Sequence, residues 1–162
     1  MTGQTQIAAQ DGTAASRPGV KLVKLLIVLI GVHSCILGAL MLFAPEFMMR
    51  ILGFTEPGPR FFPSQSGIFL LIIGIYYLLA LVYPAFEITI PLSKSFAVLF
   101  LTVHALFLSA PPIIWAADLG DLLMLAAFVG ALFWRNRHLS ASEKAPGMLA
   151  FLNSYRHPGR LR

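Results

Sequence analysis

A few residues capable of chemistry stand in or beside stretches that otherwise suit hydrocarbon: His33, Arg60, Tyr76, Tyr77, His104, Asp118 and Asp121. Histidine changes charge near neutral pH and is a common metal ligand. Two neutral imidazoles on separate helices can serve as axial ligands of a haem iron, so His33 and His104 form one candidate pair. Tyr76 and Tyr77 add phenol hydroxyls near the middle of the same zone, where a quinone or another lipophilic ligand would sit. The plainer alternative needs no cofactor. In it these residues make interhelical hydrogen bonds, such as His104 to Tyr77 or to Ser34, worth about 0.6–2 kcal/mol each.

Asp118 and Asp121 raise a different question. Being three apart, they share one face if helical. If the last apolar helix begins near Pro112, a favoured first-turn position, both carboxylates lie roughly 9–14 Å along it. A tight turn before Pro111 then brings His104 level with Asp118. If "PPIIWAADLG" is instead an interfacial loop, Asp118 caps the helix and Asp121 lies in its first turn, near the positive dipole end. In either case the acids lie on the same side as Arg60, so Arg60, Asp118 and Asp121 form a candidate outer-face charge cluster. An Arg60–Asp pair there would be structural, or part of a proton or small-solute pathway that also uses His104. No nucleophile triad, phosphate-binding glycine loop or metal-spaced cluster occurs in the sequence, so no catalytic residue is assigned. A single cysteine, Cys35, cannot form a disulfide within the chain.

These residues must be positioned by membrane helices. The chain has 162 residues, 57% hydrophobic and 12% charged, with mean hydropathy +0.79; an ordinary soluble domain has about 25% charged residues. Four apolar stretches each approach the ~20 residues that cross a ~30 Å hydrocarbon core. They are expected at about 23–43, 64–83, 94–110 and 113–134. The fold class predicted is therefore an all-α integral membrane protein, an antiparallel bundle of four transmembrane helices. Pro45, Glu46 and Gly53 have the start and stop chemistry of a short interfacial helix after the first span. Gly31, Ser34 and Gly38, Gly67 and Gly74, and Ala126, Ala127, Gly130 and Ala131 mark candidate faces of close helix approach.

Charge sets the expected orientation. Ten of the twelve Lys and Arg residues fall on one side if both termini are cytoplasmic; only Arg50 and Arg60 lie opposite. Lys94 counts among the cytoplasmic ten. Residues 1–20 read as a mobile polar segment. Residues 135–162 read as a basic cytoplasmic tail, with six Lys or Arg against one Glu, attracted to anionic lipid headgroups. The charge pattern does not resemble a nucleic-acid surface.

The stretches "LFAPEFMMRILGF", "RFFPSQSGIFLLIIGIYYLLAL" and "LGDLLMLAAF", in this order, resemble small bacterial four-helix membrane proteins of the DoxX-like type, over roughly Lys24 to Trp134. The resemblance implies an accessory protein of the bacterial inner membrane, some relatives being linked to oxidoreductase complexes, and carries no catalytic residues across. The expected function is a noncatalytic subunit packing against larger membrane proteins. The alternatives are a small redox-linked or lipophilic-ligand protein and a proton or solute pathway.

Overall fold

The computed structural model describes residues 18–54 and 59–138. The expected mobile start and most of the expected basic tail lie outside the described residues. Helix α1 spans Pro18–Phe43, α2 Pro45–Ile51, α3 Phe61–Leu79, α4 Thr89–Phe107 and α5 Ile113–His138, with a 3-10 turn at Pro84–Ile88 before α4. Four of the helices, α1, α3, α4 with its 3-10 lead-in, and α5, are long and apolar enough to cross a membrane. The chain is thus an integral membrane protein, helical with no strand among the described residues, and α2 is the short helix expected after the first span. Several boundaries differ from the sequence reading: α3 covers Phe61–Leu79 instead of 64–83, and α4 covers Thr89–Phe107 instead of 94–110. Helix α1 begins at Pro18, within the segment read as mobile. Helix α5 continues beyond Trp134 to His138, because basic residues can extend a helix past the apolar zone into water.

Local chemistry explains the ends. Pro45 opens α2 and Glu46 lies in its first turn, where the missing N–H is harmless and the helix dipole favours an acid. Gly53 closes α2 with φ +82. Its N–H bonds Arg50 O, and the Phe54 N–H bonds Met49 O, the paired bonding of a Schellman motif. Between α4 and α5, Ser109 takes φ 51. The Leu108 and Ala110 N–H groups both bond His104 O, and Pro111-Pro112 prevents the helix from continuing.

Helix α1 is central. It packs most intimately on α3 and also on α5; α4 packs on α5. The α1–α3 seam is built on glycine. A Cβ on Gly38 would lie 2.6 Å from the Leu71 N, and one on Gly67 2.6 Å from the Leu42 N. Gly31 and Gly74 repeat the arrangement further along, so the seven-residue spacing in each helix does mark a packing face. In α5 the expectation holds only for Ala131, which is buried. Ala126, Ala127 and Gly130 are exposed, and a Cβ on Gly130 would meet nothing within 4 Å.

The core is not centred. Val23, Ile27, Ile30, Tyr77, Ala80, Ile90, Phe128 and Ala131 form it. All lie in the half of the bundle where α1 begins and α5 ends, called here the terminal end. Arg135 fastens that end, its two terminal nitrogens donating to Glu87 Oε1 and Oε2 at 2.7 and 2.8 Å. Toward the opposite end, near α2, few large side chains are fully buried.

Candidate functional site

The strongest site joins α4 to α5. Lys94 Nζ donates to Asp121 Oδ1 at 2.6 Å, with the two side chains only 7% and 17% exposed. Thr102 Oγ1 donates to Asp118 Oδ2 at 2.8 Å. Lys94 and Thr102 are eight residues apart on α4, a little over two turns, and both reach α5 from adjoining parts of its surface; Asp118 and Asp121, three apart, share a face of α5. Both acids therefore lie inside a continuous helix that begins at Ile113. Asp118 is not a cap, and the interfacial-loop arrangement does not occur.

The lysine takes an unusual course. Glu87 opposite Arg135 and Thr102 opposite Asp118 fix the antiparallel register of the two chain segments. In that register Lys94 lies opposite Ala127, about six residues or ~9 Å along the axis from Asp121. A lysine in the terminal half of a span ordinarily extends its stem back to the nearer interface. Here the ammonium instead meets the Asp121 carboxylate within the α4–α5 interface. An ammonium and a carboxylate taken out of water lose several kcal/mol of hydration each. Direct contact offsets that loss, so the pair enters the membrane interior as a net-neutral unit.

Other polar groups flank this unit. Tyr77, buried on α3, shares a hydrogen bond with Ser93, the residue before Lys94, and Ser93 also donates to Thr89 O. On α1, Gly19 lies against Arg135. Counting equal lengths along the antiparallel pair α1 and α5 from that contact places His33 level with Asp121. His33 is exposed at the bundle surface and lies within electrostatic range of Lys94 and Asp121. Its neighbour Ser34 is 1% exposed, and its hydroxyl has no hydrogen-bond partner.

The sequence candidates are thus distributed differently from the grouping expected. Arg60 does not join Asp118 and Asp121. Its guanidinium pairs with Glu46 at 2.6–2.7 Å in an exposed position near the α2 end. Glu46 is nearer because α2 folds back beside the start of α3, whereas both aspartates are engaged by α4. His104 does not pair with Asp118 or Tyr77 either. Its Nδ1 bonds Phe100 O one turn back, and its ring lies against Phe100 with centroids 3.9 Å apart. His33 and His104 stand on α1 and α4, whose backbones do not approach closely. Tyr76 is exposed and stacks on Phe86, while Tyr77 faces inward. Among the described residues no three His, Cys, Asp or Glu side chains gather as a metal ion would require.

Lys94, Ser93 and Thr102 are the functional candidates that charge counting overlooked. Counting Lys94 among the cytoplasmic residues follows from starting the third span at it, whereas α4 begins five residues earlier, at Thr89. A signal for its true place exists: a lysine and a threonine stand a little over two turns apart on one span, and aspartates recur on one face of the next.

The site is an intramembrane charge pair beside an incompletely satisfied acid. Comparison of the chain with protein-family models, with curated proteins and with solved structures finds no match.

Proposed function

We propose that this chain is a noncatalytic accessory subunit of a larger membrane assembly, in the bacterial inner membrane with both termini cytoplasmic. The observation that carries the reading is the half-open bundle. Helices α3 and α4 meet only slightly, with the Tyr77–Ser93 bond near the terminal end, and the core residues all lie in that half. The chain itself buries a smaller share of the third span than of any other span, and the largest share of the first. Helix α4 is therefore the element with most surface left for a neighbour. Phe96, Leu99, Phe100 and Phe107 on it are exposed, and without a hydrophobic drive between spans such side chains associate by close packing. The resemblance to DoxX-like proteins supports the same reading. The terminal end carries Lys21, Lys24, Arg135 and Arg137, which supports placing it in the cytoplasm.

A photo-crosslinking side chain introduced at Leu99 in the intact protein, in its native membrane, tests the proposal. Discrete adducts containing a second integral membrane protein are expected. Adducts with lipid alone, or only with further copies of this chain, reject it.

A further inference from the structure

Asp118 sets up a problem that packing does not solve. It is 8% exposed and its carboxyl points across the α4–α5 interface to Thr102. Oδ2 has that one donor; Oδ1 is buried with no partner. Asp121, one turn away, has the Lys94 ammonium to itself. The two acids share a helix face and an apolar setting but not a counter-charge. An ionised carboxyl in such a place, without a cation, is expensive, and the customary escape is to bind a proton.

We propose that Asp118 is a proton-binding site in the membrane interior, with Oδ1 as the acceptor atom and the Lys94–Asp121 pair as a fixed neutral neighbour. On uptake one O–H bond forms at Oδ1 and the carboxyl charge goes from −1 to 0; release reverses both changes. Thr102 holds Oδ2 in place, so Oδ1 is the free end. A proton fits better than a metal ion. Hard cations need several oxygen ligands together, and no metal-ligating cluster exists among the described residues. A proton needs one lone pair.

The titratable groups that face this region support a single exchangeable site. Helix α1 contributes His33, level with Asp121 rather than Asp118. Helix α3 contributes Tyr77, already bonded to Ser93. Helix α4 contributes Lys94, committed to Asp121, and His104, whose Nδ1 is bonded to Phe100 O. Arg60 and Glu46 pair with each other in an exposed position. No cation other than Lys94 is placed to neutralise Asp118 among the described residues.

Infrared spectroscopy of the full-length protein in lipid vesicles tests this directly, because a protonated carboxyl has a C=O stretch distinct from that of a carboxylate. In wild type a protonated-carboxyl band is expected that moves in D2O, disappears as pH is raised and is absent from Asp118→Asn, an isosteric change. Thr102→Val should move the same band without removing it, since Oδ2 loses its hydrogen bond. Lys94→Met should add a second band, from Asp121 left without its cation. A spectrum unchanged by Asp118→Asn, with Thr102→Val silent as well, overturns the assignment. So does an Asp118 band that never exchanges in D2O, which would mark a sealed structural acid.

Discussion

Replacing Lys94 with Met isolates the energetics of the buried pair. Methionine keeps the length and apolar bulk of the lysine stem and removes only the ammonium. Asp121 would then be left 17% exposed in the interior of α5 with no cation. Breaking a buried ion pair from one side costs about 3–5 kcal/mol. At about 1.4 kcal/mol per decade, the ratio of folded to unfolded protein should fall by roughly two to four orders of magnitude. The double variant Lys94→Met with Asp121→Leu removes both charges and should recover the loss, or exceed wild type by up to about 4 kcal/mol. The chain carries its own reporter. Cys35 is the single cysteine, partly buried in the α1–α3 seam, where a Cβ on Gly74 would lie 2.6 Å from its Sγ. A maleimide fluorophore should label it only as the seam opens, during a denaturing-detergent titration. Single and double variants of equal instability would show that packing of the lysine stem, not charge, holds α4 to α5. A single variant as stable as wild type would show the pair to be ionised in name only.

The glycine seam gives a graded test by the same thiol assay. Gly38→Ala and Gly67→Ala push a methyl into opposing backbone and should each lose about 1–3 kcal/mol, whereas Gly130→Ala meets open space and should be neutral or gain up to about 1 kcal/mol. Arg135→Lys exchanges a two-pronged contact with Glu87 for a point charge; a loss of about 1 kcal/mol and faster amide exchange in residues 84–88 are expected. Glu46→Gln removes an exposed pairing with Arg60 and should change stability by less than about 1 kcal/mol, with any effect disappearing in high salt. Four crossings require both chain ends on one side of the membrane, so impermeant labelling of tags at the two termini should give the same side for both; opposite sides would remove one span.

The residues make clear how much of this was legible in advance. Pro45, Glu46 and Gly53 specify α2 locally, because a proline start, an acid in the first turn and a left-handed glycine act within a few residues. Gly31, Gly38, Gly67 and Gly74 announce the α1–α3 seam, because only hydrogen fits where two backbones approach so closely. The fourth span misled at Ala126, Ala127 and Gly130: small residues also suit a lipid-facing surface, and spacing does not say which face turns inward. Arg60 misled for a different reason. A shared membrane side does not bring Arg60 to the aspartates, because Glu46 is closer.

Four stretches of about 20 apolar residues determine four helices by themselves, since a backbone in hydrocarbon must satisfy its own hydrogen bonds. Rotation, register and side-chain direction are not fixed that way. Lys94 shows the difference: its sequence position assigns it to an interface, yet its ammonium is buried against Asp121 of the neighbouring helix. Only the packed α4–α5 pair decides this, because where a charge settles in a low-dielectric interior depends on the nearest opposite charge in space, and that is set by how two separate helices meet.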